Sequence, residues 1–233
     1  MNRAYLDLED VRRMKEAASN LRDRLLVRLL FYSGCRVSEA LALRPQDLDL
    51  GQGTITILHL KERLKLTCPK CGASLARSHR FCPGCGEVVG EALQDRQEHR
   101  SIRTVPLDAV TLALLQKYLE RGGQVHVRGQ AILFGITRHR ARQIIMELAK
   151  RAGLPRVLLN TGKEHWVSPH RLRDAFAVQA AKADSTWDGL RMLQEQLGHA
   201  TLNTTARYRK LAGQELREWY GRVVGKSGEE AKP

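Results

Sequence analysis

The chain has 233 residues, 42% of them apolar, and its 39 lysines and arginines against 25 acidic residues leave a net charge of +14. That apolar share suits a soluble globular protein of one large or two small domains, and the charge excess asks for a polyanionic partner, either nucleic acid or an acidic membrane surface. No apolar run approaches the roughly 20 residues that span a bilayer, and the polar start Met1 to Asp7 is unlike a secretory signal, so a cytoplasmic protein without a membrane role is expected.

In chain order, Asp7 is an N-cap for a helix through Ala17, and Leu21, Leu25, Leu26, Leu29 and Leu30 recur at helical spacing until Gly34 ends a second helix. A short helix over Ser38 to Leu43 is stopped by Arg44-Pro45, which leaves Arg36 at a helix junction. Thr54 to Leu60 has the alternating, β-branched texture of a strand. From Lys61 to about Arg100 the chain becomes polar and cysteine-bearing, and Ser101 to Pro106 resumes strand chemistry, so the segment reads as inserted between two strands of one sheet. Asp108 to Glu120 forms a helix broken by Gly122-Gly123. Thr137 caps another, with Ala141, Ile144, Ile145 and Leu148 on its apolar face and Arg138, Arg140, Arg142, Lys150 and Arg151 on the other. That basic stripe is either a solvated face or a DNA contact.

Ser168-Pro169 starts a helix running to about Lys182, with the serine hydroxyl as cap and proline at its first position. His170 and Arg173 then lie in its first turns on one face. A helix over Asp188 to Gln196 ends at Gly198 and frees His199, and Tyr208 follows on the next short helix. A last helix from about Gln214 to Val224 carries the stripe Leu216, Trp219, Tyr220 and Val223, and residues 225–233 read as a disordered tail.

Four of the five cysteines form two knuckles, Cys68-Pro-Lys-Cys71-Gly and Cys82-Pro-Gly-Cys85-Gly, while Cys35 stands alone. Each Cys-x-x-Cys turn presents two thiolates to one ion, and the following glycine lets backbone N–H groups approach sulfur. A structural tetrahedral Zn2+ site is expected, with redox dithiols or an iron centre as alternatives. So small a segment needs the metal to fold. It acts as a staple closing a long hairpin or, given Lys65, Lys70, Arg77, His79 and Arg80, as a ribbon that reaches DNA.

Phosphodiester cleavage builds negative charge on the nonbridging oxygens, so a catalyst wants cations there, a nucleophile in line and an acid for the departing oxygen. Arginine's planar fork stays charged at any working pH, which places Arg36 and Arg173 on the phosphate. His170 and His199 serve as proton-transfer or hydrogen-bonding partners, and Tyr208 is the nucleophile, its phenol needing arginine charge and a histidine to lose a proton. Lys61, at the end of the first strand, is the candidate acid for the 5′-oxygen, with Lys65 in reserve. Singly these residues are ordinary structural ones; together they make a DNA-breaking and rejoining site.

The stretches Ser33-Gly-Cys-Arg36-Val-Ser-Glu39-Ala-Leu, His170-Arg-Leu-Arg173 and Leu197-Gly-His199 with Tyr208 resemble the boxes of the phage-integrase family of tyrosine recombinases over about residues 5–215, apart from the cysteine insert. The resemblance implies an α+β, mainly helical catalytic domain with a small antiparallel sheet, built from residues 1–61 and 101–224 and interrupted by a four-cysteine zinc ribbon at 62–100. It carries the active-site roles onto Arg36, Lys61, His170, Arg173, His199 and Tyr208. It also implies a site-specific recombinase or integrase that acts on double-stranded DNA through a 3′-phosphotyrosine, as a tetramer of protomers, without ATP or a catalytic metal. Relatives place a DNA-clamping domain before the catalytic one, yet Arg36 comes too early for that, so such a domain is expected to be absent or the chain to be part of a protein. A type IB-like topoisomerase and a noncatalytic zinc-ribbon DNA-binding protein are the alternatives.

Overall fold

A computed structural model describes residues 5–76, 78–89, 93–154, 156–158, 162–199 and 201–212. The last expected helix, with Leu216, Trp219, Tyr220 and Val223, lies outside the described residues, as do the tail and Arg77. The chain divides into two compact units, Leu58–Ile102 and the two stretches that flank it.

The larger unit is built from helices whose starts are written locally. Asp7 accepts the N–H of Asp10 at 2.8 Å while Asp10 accepts that of Asp7, a reciprocal cap for α1 (Leu8–Glu16). α2 (Leu21–Arg28) continues into one wider turn of π-helix over Leu29–Ser33, where the Ser33 hydroxyl donates to the Leu29 carbonyl at 2.6 Å. Periodicity alone shows a single helix here, because the extra residue of a π turn leaves Leu25, Leu26, Leu29 and Leu30 all buried. α3 (Val37–Ala42) follows, and β1 (Leu48–Asp49) pairs antiparallel with the start of β2 (Thr54–Thr67).

α4 (Ala109–Glu120) is capped by Asp108, and α5 (Arg138–Arg151) by Thr137. α5 buries Ala141, Ile144, Ile145 and Leu148, the face its spacing predicts, and exposes Arg138, Arg140, Arg142, Lys150 and Arg151. Two short hairpins have no counterpart in the sequence reading: β5 (Val125–Val127) with β6 (Gln130–Ile132), and β7 (Arg156–Leu158) with β8 (Glu164–Trp166). With three residues per strand they are too short to show an alternation. α6 (Pro169–Ala183), α7 (Trp187–Leu197) and α8 (Leu202–Ala212) complete the described unit. Ser168 occupies the N-cap of α6, but its hydroxyl makes no capping bond, so proline at the first position carries that helix start. Ala177, Val178 and Ala181 of α6 pack with Leu193 and Leu197 of α7 and Tyr208 of α8.

The smaller unit holds the outer part of β2, β3 (Ser74–Leu75) and the first part of β4 (Leu93–Pro106), which pairs with β2. β2 runs to Thr67, seven residues beyond the expected end, so Lys61 lies inside a strand rather than at its end, and the side chains of Lys61 and Lys65 lie outside what is described. Among the described residues its apolar burial is slight: Cys68, Leu75 and Cys82, flanked by Leu66, Ala73 and Val89. The chain is therefore mainly helical with small antiparallel sheets, the α+β class expected, and carries a four-cysteine cluster.

Candidate active site

Arg173, on the second turn of α6, is 2% exposed, and its two terminal nitrogens donate to the Gly34 carbonyl at 2.5 Å and the Leu197 carbonyl at 2.7 Å. One buried guanidinium thus joins the turn before Arg36 to the end of α7 before His199. Both acceptors depend on glycine. Gly34 has φ +61°, and a Cβ there would stand 2.8 Å from Leu197 and from Phe176, whereas Gly198 ends α7 at φ +64° with no room beside the Arg103 guanidinium. Burial, first of all, and then the neighbouring Arg36 charge push Arg173 down to about 10, so it stays charged at neutral pH.

Arg36 is the accessible member of the pair, its side chain 35% exposed. Its backbone N–H and one guanidinium nitrogen donate to the Glu39 carboxylate at 2.8 and 2.9 Å. Burial works against the charge on Glu39, but hydrogen bonds from Arg103 and from the Arg36 N–H outweigh it and hold that carboxyl at about 2.

Tyr208 is 1% exposed, and its hydroxyl donates to Asp174 at 2.8 Å, on the residue next to Arg173. Asp174 also accepts from Arg171 at 3.1 Å, with the His170 Nε2 3.6 Å away. Three-residue spacing put His170 and Arg173 on one helix face, yet their environments differ sharply. His170 lies largely in solvent while Arg173 is enclosed, because the face they share turns from the helix start into the core within one turn. His199 stacks on Tyr208 with ring centroids 6.2 Å apart, and its Nδ1 meets the buried Thr205 hydroxyl at 2.9 Å. Thr205 sits one turn before Tyr208 on α8, so the histidine is fixed to the helix that carries the phenol. Five predicted residues, Arg36, His170, Arg173, His199 and Tyr208, are brought to one region; Lys61 is not placed.

Glu39, Arg103, Asp174 and Thr205 also belong to this region, and sequence reasoning assigned none of them a role. Arg103 did carry a signal. It shares the inward face of β4 with the buried Val105, and Leu107 just past the strand is buried too, while Ile102 and Thr104 face out, and an arginine on an apolar strand face needs a buried partner.

The comparisons with known proteins converge. The phage integrase family model matches residues 4–215. The chain belongs to the phage integrase family. Tyrosine recombinase XerC of Staphylococcus aureus is 27% identical over 207 residues, 88% of this chain and 54% of that protein. This integrase-family chain thus spans about half the length of the curated relatives it matches. Among solved structures, XerA recombinase is similar at a TM-score of 0.60 with 25% identity, over 94% of this chain and 62% of that one. The catalytic domain of bacteriophage HP1 integrase shares the fold at a TM-score of 0.52 and 20% identity, over 99% of both chains.

The second cluster, in the smaller unit, has a different chemistry. The sulfurs of Cys68, Cys71, Cys82 and Cys85 all lie within 4.8 Å of one another, with Cys68 to Cys85 at 3.7 Å and Cys71 to Cys82 at 3.5 Å. A tetrahedron of thiolates at about 2.3 Å from zinc has edges of roughly 3.8 Å, so the four sulfurs fit one such ion. Burial raises the Cys82 thiol, but backbone N–H groups of Cys85 and Gly84 outweigh it and bring it down to about 7, whereas at Cys71 and Cys85 a backbone N–H lowers the thiol but the crowding of thiols leaves both raised. The glycines after each knuckle, Gly72 and Gly86, donate to the carbonyls of Cys68 and Cys82, closing two equivalent turns, and the N–H groups that follow them, of Ala73 and Glu87, reach the sulfurs of Cys71 and Cys85, while that of Gly84 lies 3.4 Å from the Cys82 sulfur. Among the described residues no helix is long and apolar enough to cross a membrane.

Proposed function

We propose that this chain is the catalytic part of a site-specific DNA recombinase or integrase that cuts and rejoins double-stranded DNA through a 3′-phosphotyrosine, without ATP. The phenolic oxygen of Tyr208 attacks the scissile phosphorus, the bond to the 5′-oxygen breaks, and that oxygen leaves with a proton. Arg36 and Arg173 offset the charge that builds on the nonbridging oxygens. His199, aligned through Thr205, and His170, at the α6 start, assist proton transfer, with Lys61 as donor to the 5′-oxygen. Rejoining reverses the step: a 5′-hydroxyl attacks the phosphotyrosine and frees the phenol. Self-association on DNA, as a tetramer of protomers, and a cytoplasmic setting complete the reading.

The observation that carries it is the meeting of Tyr208 with Asp174 beside Arg173, while Arg173 itself grips the turns leading to Arg36 and His199. Three stretches, the first of them more than a hundred residues before the other two, thus meet beside a phenol, a group that binding alone would not need. With Tyr208 1% exposed, the phenol has to leave Asp174 before it meets a phosphate, so DNA binding is coupled to a movement of α8.

Cys68, Cys71, Cys82 and Cys85 hold one structural Zn2+ that fastens the smaller unit and takes no part in the chemistry. The exposed arginines of α5 contact the DNA backbone.

The test is a nicked duplex that loses its 5′-hydroxyl fragment after cleavage and so traps the intermediate. A denaturant-resistant protein–DNA adduct is expected from the wild type and none from Tyr208→Phe. No adduct on nicked or supercoiled DNA would leave a noncatalytic DNA-binding role, and relaxation without strand exchange would make the enzyme a topoisomerase.

A further inference from the structure

We infer that Arg103 is a positioning residue for strand cleavage, one that orients the Arg36 guanidinium through Glu39 and at the same time holds the end of α7 from which His199 emerges. The inference rests on the recombinase reading above and adds to it a residue outside the boxes.

Arg103 uses its whole fork. Two nitrogens donate to the two oxygens of Glu39 at 3.1 and 2.6 Å, and Nε donates to the Gln196 carbonyl at 3.1 Å. The pair is enclosed, with the Arg103 side chain 12% and that of Glu39 2% exposed. Each Glu39 oxygen has a second lone pair, and these take the backbone N–H and the guanidinium of Arg36. The buried carboxylate is therefore clamped from one side by an enclosed arginine and presents the accessible one on the other.

Gln196 closes the circuit. Its carbonyl receives Arg103, and its side-chain amide donates to the Ser33 carbonyl at 3.2 Å, three residues before Arg36. Gly198 leaves the space that Arg103 fills, since a Cβ there would stand 2.8 Å from the guanidinium. Arg103 thus touches both flanks of the region: the carboxylate behind Arg36 and the turn ahead of His199. A lysine would keep the charge but supply neither the bidentate grip nor the third bond at a fixed angle. Misplacing a phosphate-binding arginine by about 1 Å costs on the order of a hundredfold in rate, which sets the expected effect.

Single-turnover adduct formation on the nicked duplex, with protein saturating, tests this for the full chain, Arg103→Met, Arg103→Lys, Arg36→Met and the double variant Arg36→Met/Arg103→Met. Arg103→Met is expected to slow the step roughly 100-fold with duplex affinity within about twofold of wild type. The double variant should lose less than the product of the two single losses, because the part of Arg103's effect that runs through Arg36 is already gone and only its hold on the end of α7 remains. Arg103→Lys, which retains the buried charge and folds if Arg103→Met does not, should still lose about tenfold. A wild-type rate in either folded Arg103 variant, or losses that multiply in the double variant, would overturn the inference. A wild type that forms no adduct at all would instead sink the recombinase reading, so the two failures are distinguishable.

Discussion

The two clusters of chemically able side chains in this chain are held together by opposite means. Around Arg173, position comes from burial: a continuous apolar core runs beneath it, and backbone carbonyls at two glycine-dependent turns receive the guanidinium. Around the four cysteines, by contrast, the described residues bury little beyond Cys68, Leu75 and Cys82, and the four sulfurs lie within 4.8 Å of one another. The first site is assembled by the fold and, on the proposed reading, then has to be reached by DNA. On the proposed reading, the second assembles its own fold around a metal. Stability and activity should therefore come apart when each is perturbed.

Stripping the metal makes the largest separation. A structural zinc contributes on the order of 10 kcal/mol to a unit that folds on it. Chelation is expected to expose residues 68–89 to protease while the helical unit keeps its melting temperature. Circular dichroism and limited proteolysis on one sample check this, and a single joint melt would show that the units are not independent. Cys82→Ser should act in the same direction.

Gly34→Ala strikes the other side of the contrast. A left-handed alanine costs about 1–2 kcal/mol and overpacking against Leu197 and Phe176 a further 1–3 kcal/mol. Denaturant titration should show a loss of about 2–5 kcal/mol in the helical unit, with zinc stoichiometry unchanged. A loss of bound metal would mean that the smaller unit depends on the larger.

A smaller effect comes from proton linkage at Glu39. Its carboxyl falls from an ordinary 4.5 to about 2 in the folded chain, so folding gains stability above the ordinary value. That gain is lost as the pH drops from 4.5 through 2. Its full extent is about 3 kcal/mol. The stability gap between wild type and Glu39→Gln should shrink across this window, whereas a constant gap would mean that Glu39 is not held ionised by its arginines.

Much of the larger unit was legible because its signals are local. Asp7, Asp108 and Thr137 are caps within one turn of what they cap, and the stripe Ala141, Ile144, Ile145 and Leu148 needs only helical spacing. What could not be read depends on partners far along the chain. The bond from Tyr208 to Asp174 spans 34 residues, and that from Arg103 to Glu39 spans 64. The π turn at Leu29–Ser33 hides inside a helical pattern, and the continuation of β2 past Leu60 runs through charged residues that lack strand texture. Lys61 was placed at a strand end for that reason. The cysteine cluster was readable in full, since ligand spacing is itself a local code.

In the proposed reaction one phenol, Tyr208, becomes joined to DNA. Digesting the trapped adduct with protease and nuclease and sequencing the nucleotide-bearing peptide by mass spectrometry tests it most directly. A nucleotide 3′-phosphate on Tyr208 is the expected result. The same mass on Tyr220 or another side chain, or on no peptide at all, would rule out Tyr208 as the nucleophile.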